Sequence, residues 1–175
     1  KTYGYKTNKT GFGFGTNFEL YNDTYLGFGN SNFYEKIKTD NTASTRQKKQ
    51  EGDYWDSFLN LDLDFDKRNQ KYQTSSGFRS YYSLDLPVIS EKNTLKNQYR
   101  YKYYTELYEK NISSFSVFLE SANSVSNKDV KLSERVNIPS NRLRGFEAGR
   151  VGPKDGEDFI GGNYAYAFNF ASTLP

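Results

Sequence analysis

The chain has 175 residues, of which 18% are aromatic, while all apolar types together make up only 35%. Its 24 basic and 21 acidic residues leave a net charge of +3, which is too close to balance to indicate a nucleic-acid partner. It contains no Cys and no His, so thiol catalysis, disulfides, cysteine-containing zinc sites and histidine general bases are excluded. No apolar run approaches the roughly 20 residues that a membrane-spanning helix needs, which leaves strands as the segments that can cross a membrane.

Alternating apolar and polar residues predict strands from the beginning of the chain. In residues 11–20, four apolar side chains share one face, and small or polar residues share the other. The Asn22-Asp23 pair predicts a tight turn into a second strand that begins near Tyr25. Residues 38–53 hold one apolar side chain, and we predict that they form a long solvated loop.

The clearest strand is residues 58–66, which alternates without a fault from Leu59 to Asp66. Apolar residues at odd positions oppose Asn60, Asp62, Asp64 and Asp66. A tilted strand needs about 9 to 11 residues to cross a bilayer, and an apolar outside with a polar inside is typical of membrane barrels. The pattern returns in residues 78–86, 99–107, 115–119 and 163–171. The side chains that we expect to face lipid are Leu61, Leu63, Tyr164, Tyr166, Phe168 and Phe170.

A soluble β-sandwich with a core of Tyr and Phe also alternates, so periodicity alone leaves it open. In that case Trp55 and exposed tyrosines would suit a secreted carbohydrate-binding protein. The barrel is favoured because tyrosines are easier to place at lipid headgroups than in a dry core that must satisfy every hydroxyl.

Residues 141–163 interrupt the strand pattern and carry a resemblance. The order Leu143-Arg144-Gly145-Phe146, then Gly152-Pro153, then Gly161-Gly162-Asn163 ahead of the last strand, resembles the lumen loop of the BamA outer-membrane assembly family. Arginine-glycine-aromatic alone is a weak motif, but its spacing from the later Gly-Pro and Gly-Gly-Asn makes the match fairly specific. A fainter similarity covers residues 66–87, which resemble a hairpin of the same family.

The resemblance implies an all-β fold in which residues 1–175 form part of a transmembrane outer-membrane β-barrel. An antiparallel meander of about seven strands would belong to a sixteen-stranded barrel, with the loop at residues 141–163 inside it and the POTRA domains and terminal strands absent. The implied function is non-enzymatic: an insertase that folds and inserts outer-membrane proteins of Gram-negative bacteria. The implied partners are outer-membrane lipid, unfolded client proteins and assembly-complex lipoproteins bound through POTRA domains, with no nucleic acid. A TamA-like or two-partner secretion transporter is the alternative within this class.

The same resemblance implies roles for the loop motif. Gly145 and Gly152 would allow sharp reversals, Pro153 would keep the loop out of a ladder, and Phe146 would pack beside Arg144. In the family the arginine reaches inward-facing acidic residues, but Ala171 stands where one expected glutamate would be. Candidate replacement partners are Asp62 and Asp64.

The Asp62, Asp64 and Asp66 row also resembles the start of a calcium-binding EF-hand loop. Position six of that loop requires glycine and position twelve glutamate, whereas this chain has Lys67 and Gln73. We therefore predict no metal site, no cofactor and no catalytic residue, and we interpret the row as a polar inner wall.

Overall fold

The computed structural model describes residues 4–173, which are almost entirely β-structure. Seven strands form one antiparallel meander in the order β1-β2-β3-β4-β5-β6-β9. Their bounds are β1 Tyr5–Tyr21, β2 Thr24–Thr39, β3 Gly52–Asp66, β4 Gly77–Ile89, β5 Thr94–Tyr108, β6 Asn111–Ser124 and β9 Tyr164–Ser172. A small separate hairpin joins β7 Lys154–Asp155 to β8 Asp158–Phe159, and the short helix α1 spans Thr45–Lys48. Among the described residues, no helix is both long and apolar enough to cross a membrane.

Cross-strand register sorts the side chains of this sheet onto two chemically different faces. We name one face the outer face. Residues that lie opposite one another in the register form a row across this face, and each strand contributes an apolar or aromatic residue to it: Phe18, Leu26, Leu63, Tyr82, Tyr99, Leu119 and Tyr166. On the opposite, inner face the neighbouring row is small or polar: Asn17, Gly27, Asp62, Ser83, Gln98, Glu120 and Ala165. The alternation predicted from the sequence therefore holds across all seven strands, because the side-chain period of a strand is two.

The connections at the two ends of the sheet differ in length. At one end, β1 turns into β2 through Asn22 and Asp23, with Asp23 at φ 65°, and β5 turns into β6 through two residues. At the other end, residues 40–51 join β2 to β3, and residues 125–163 join β6 to β9. The other two connections do not follow a strict division, because residues 67–76 join β3 to β4 at the first end and residues 90–93 join β4 to β5 at the second.

Residues 38–53 are only in part the solvated loop predicted from their composition. Strand β2 continues to Thr39 and β3 begins at Gly52, so only the middle of the segment is a connection. There the Ser44 side chain accepts the backbone N–H of Gln47, whose side chain in turn accepts the Ser44 N–H at 2.8 Å. This capping box fixes α1 with polar residues alone, so it leaves no apolar pattern in the sequence. Gln47 itself is fully buried.

An apolar core lies between the inner face of β6 and β9 and the long connection above them. Phe118 and Ala167 contribute from the strands, and Val130 and Val136 from the connection. Ala165 and Ala167 are 8% exposed, and their small side chains let the covering segment approach the sheet closely. The outer-face rings have no second large sheet packed against them within residues 4–173, so the β-sandwich alternative is wrong.

Candidate functional site

The long connection, which we name the inner loop (residues 125–163), returns across the inner face of the sheet. Val136 and Gly162 exchange two backbone hydrogen bonds of 2.9 Å, which close the base of the loop. The backbone N–H of Ala122 in β6 donates to the carbonyl oxygen of Asn163 at 2.8 Å, just before β9 begins. Backbone pairing thus holds the C-terminal end of the loop against β6 and joins Val136 to that end.

A buried charge cluster fixes the first part of the inner loop to the sheet. The ammonium of Lys131 lies 3.2 Å from Glu35 Oε2 on β2 and 3.4 Å from Glu134 Oε1, and it also donates to Asp56 on β3. None of these four side chains is exposed. The ring of Tyr54 lies 5.1 Å from the same ammonium. Lys131 therefore joins the loop to two neighbouring strands through one desolvated cation.

The electrostatics of this cluster favour the charged form of Lys131. Burial by itself lowers the pKa of an ammonium, but the carboxylates of Glu134, Asp56 and Glu35 outweigh it and hold the pKa of Lys131 above its ordinary value. Hydroxyl donors assist the carboxylates: Ser133 donates to Glu35 at 2.9 Å and Ser90 to Asp56 at 2.6 Å. A buried ion cluster of this kind is costly to break, because each remaining charge stays desolvated.

A second anchor, Arg142, lies at the start of the loop tip. Its guanidinium donates from Nη1 to Ser116 Oγ on β6 at 3.1 Å and lies 5.7 Å from the centre of the Phe118 ring. Its carbonyl oxygen accepts from Asn169 Nδ2 on β9 at 2.7 Å. Since Ser116 and Asn169 face each other in the β6–β9 register, Arg142 spans the last two strands of the sheet.

The motif that carried the family resemblance follows directly. Arg144, Gly145 and Phe146 are exposed, and Arg144 forms no hydrogen bond or ion pair with any residue that the structure describes. Arg144 instead borders an open groove above the inner-face residues Ser114 and Ala171. Gly145 has φ 84° and Gly152 φ 127°, and a Cβ at either position would meet nothing within 4 Å. Backbone conformation, not space, is thus what favours glycine there.

Neither predicted acidic partner is brought to Arg144. Asp64 accepts both Nε and Nη2 of Arg79, at 2.9 and 2.6 Å, and Asp62 accepts the hydroxyl of Tyr81 at 2.7 Å. Both donors come from the adjacent strand β4, where the register places them beside the aspartates. The two carboxylates are therefore already satisfied within the wall.

The residues expected to face lipid all lie on the outer face. Tyr164, Tyr166, Phe168 and Phe170 are 60 to 71% exposed along β9, and Leu63 is 42% exposed while Leu61 is half-buried between its neighbours. Pro153 is exposed in the loop, where its carbonyl oxygen accepts the N–H of Ile160 at 3.0 Å.

Sequence reasoning missed the two residues that make the strongest loop-to-wall contacts. Lys131 sits in a polar stretch with no motif, and its two partners on the strands lie 75 and 96 residues away, so nothing local marks this contact. Arg142 did have a signal, because it stands two residues before Arg144 in the same Arg-x-Arg sequence. The motif drew attention to the second arginine, whereas the first one contacts the strands.

Comparisons with known proteins agree with this architecture. The Omp85 superfamily domain matches residues 1–174. A SAM50-like protein of Schizosaccharomyces pombe is 38% identical over 63 residues, which cover 35% of this chain and 13% of that protein. The crystal structure of BamA from Haemophilus ducreyi lacking POTRA domains 1–3 superposes with a TM-score of 0.80 at 19% identity, covering 93% of this chain and 36% of that one.

This chain spans about one third of the BamA chain that it resembles in fold, and the open seven-stranded sheet matches part of that barrel. Its antiparallel meander, its outer-face apolar rows and its inner loop are the features of an incomplete barrel of that type. Because the domain match extends over almost the whole sequence, the chain belongs to the Omp85 superfamily.

Proposed function

We propose that this chain is part of the barrel of an assembly factor that folds and inserts other β-barrel proteins into a bacterial outer membrane. The observation that carries the proposal is the inner loop, which packs on the polar face of a sheet whose opposite face is apolar across all seven strands. A loop in that position would occupy the lumen of the closed barrel. The fold likeness to BamA supports a barrel of this kind.

The outer face is proposed to contact lipid. Leu61 and Leu63 at the centre of β3, and the four rings of β9, are the side chains that would do so. In water the exposed rings would form an apolar surface far larger than monomeric soluble proteins carry, whereas in a bilayer the same surface is the stable one.

Arg144 is proposed to be a lumen anchor whose partner lies on strands outside this chain. Support comes from its open position beside the groove above Ala171, and from Asp62 and Asp64, which lie away from it and already have donors. A planar guanidinium suits a carboxylate on a facing strand. Gly145 and Gly152 both follow the arginine with positive φ, which would let the backbone reverse there, and Phe146 would pack beside Arg144 in the closed barrel.

The proposed partners are unfolded outer-membrane proteins, the surrounding lipid, and assembly lipoproteins that would bind POTRA domains of the full-length protein. No nucleic acid, metal or cofactor is part of the proposed activity, and no residue is proposed to be catalytic. The chain would act by shaping a wall and a lumen rather than by covalent chemistry.

The test uses full-length protein reconstituted in liposomes, with a urea-unfolded outer-membrane barrel as client and protease protection as the readout. The proposal expects client insertion to be at least several-fold faster than in empty liposomes. Arg144→Ala should slow insertion, and Arg144→Lys, which keeps the charge but loses the planar fork, should restore only part of it.

A secretion transporter would give a different result. Liposomes would then translocate a soluble partner protein through the lumen and insert the client no faster than empty liposomes do. That outcome would contradict the insertase proposal while leaving the fold and the family assignment intact.

A further inference from the structure

The inner face carries a second feature, separate from the Arg144 motif: a cavity of about 190 Å³ between the wall and the loop tip. Its charged lining is entirely basic. The cations come from four parts of the fold: Arg68 from the β3–β4 connection, Arg79 on β4, Arg100 and Lys102 on β5, and Arg142 on the inner loop. We name these residues and the space between them the cationic pocket.

Two of the five cations are neutralised from outside the cavity. Arg68 forms a bidentate pair with Asp66, at 2.7 and 2.6 Å, and Arg79 forms one with Asp64. The hydrogen bonds to Asp66 also raise the pKa of Arg68 above its ordinary value. These two arginines are consequently fixed in position and charged at any physiological pH.

The other three cations have no carboxylate within ion-pair distance among residues 4–173. Arg100 stacks on the ring of Tyr81, with its guanidinium 4.2 Å from the ring centre, and Lys102 lies 4.7 Å from the centre of the Tyr104 ring. Arg142 is held by Ser116, as described above. Aromatic rings and hydroxyls position these charges without neutralising them, so the pocket keeps an excess of positive charge.

The register makes this arrangement costly in the absence of an anion. Arg79 and Lys102 lie directly opposite each other on β4 and β5, and Lys102 faces Ser116, the residue that binds Arg142. Because Asp64 neutralises Arg79, the repulsion that remains is between Lys102 and Arg142, which both lie next to Ser116. A bound anion would relieve that repulsion and would also connect the wall to the loop.

We propose that the cationic pocket binds a soluble phosphate-class oxyanion. Three unneutralised cations that converge from β5 and the inner loop suit a tetrahedral group, which can accept hydrogen bonds in several directions at once. A single carboxylate offers two oxygens in one plane and fits one arginine fork better. The pocket opens to the inner face, on the side of the sheet opposite the apolar rows, so its ligand is a soluble anion rather than a lipid headgroup.

The experiment is isothermal titration calorimetry, in which inorganic phosphate is added to full-length protein in a neutral detergent. Sodium chloride of matched ionic strength is the reference. Binding above the chloride reference is expected for the unmodified protein. The double variant Arg100→Gln, Lys102→Gln should lose about tenfold or more in affinity, because two charge-assisted hydrogen bonds are removed.

The matched control is Lys96→Gln. Lys96 lies on the same strand and the same face as Arg100 and Lys102 but does not line the pocket. The affinity of the Lys96→Gln variant for phosphate should therefore stay close to that of the unmodified protein. No phosphate binding beyond chloride, unchanged affinity in the double variant, or an equal loss in Lys96→Gln would each overturn the proposal. If the double variant folds poorly, the comparison of phosphate with chloride on unmodified protein still tests whether the protein binds phosphate.

Discussion

Replacing Lys131 with methionine is the perturbation that this structure predicts most sharply. Methionine fills a similar volume without a charge, so the change removes the ammonium and leaves the carboxylates of Glu35, Asp56 and Glu134 buried together. Only the hydroxyls of Ser133 and Ser90 would still donate to the cluster.

The expected cost follows from that count of partners. Breaking a buried ion pair by removing one partner costs about 3 to 5 kcal/mol, and here the lost cation serves three carboxylates instead of one. The free energy of unfolding of full-length protein in detergent micelles, measured by denaturant titration at pH 7, should therefore fall by at least about 3 kcal/mol. Lys128→Met is the control, because Lys128 is an exposed lysine of the same loop that bonds only to a backbone carbonyl.

The pH dependence supplies a second check on the same residue. Because the pKa of Lys131 is raised on folding, its contribution is complete below the ordinary lysine value of 10.5 and is lost as the pH rises further. Alkaline destabilisation should thus be weaker in Lys131→Met than in the unmodified protein. A methionine variant within about 1 kcal/mol of the unmodified protein at pH 7 would refute the argument that this cluster anchors the loop.

Five further substitutions test the faces and the packing of the sheet by the same denaturant titration, carried out on protein reconstituted in lipid bilayers. Leu63→Arg on the outer face should cost about 2 to 4 kcal/mol in a bilayer, whereas Ser83→Arg on the inner face should cost much less, and equal losses would contradict the assignment of faces. Ala167→Leu should cost about 1 to 3 kcal/mol by overfilling the space under the loop, and no loss would mean that the loop does not pack there. Gly11→Ala should destabilise more than Gly13→Ala, because the added Cβ would lie 2.3 Å from a carbonyl oxygen of β2 instead of 3.2 Å, and the reverse order would contradict this register.

The two faces of the sheet were predictable because alternation is a local property of each strand. Residues 59–66 and 163–171 show it without interruption, and the structure pairs them into continuous rows through β4, β5 and β6. Pairing of neighbours along the chain follows from the short turns, such as Asn22-Asp23. The family resemblance in residues 141–163 was confirmed by the match over the whole chain.

What could not be predicted rests on polar contacts between residues distant in sequence. The cluster around Lys131 combines β2, β3 and the inner loop, and it leaves no period and no motif. The connection at residues 40–51 was misjudged for the same reason: Ser44 and Gln47 cap a helix, and Arg46 pairs with Asp129 of the inner loop at 3.0 Å. Polar residues can build buried structure when each donor finds its acceptor, and composition does not reveal that matching.

The central claim is that the outer face meets lipid while the inner face meets water. Because this chain has no Cys, a single cysteine at Tyr166 or at Gln98 would be its only labelling position. Full-length protein carrying a fluorophore at either position would be reconstituted in vesicles with brominated lipid. We expect strong quenching at position 166 and little at position 98, where a soluble thiol reagent should react instead. Equal quenching at both positions, or quenching at position 98 alone, would contradict the account.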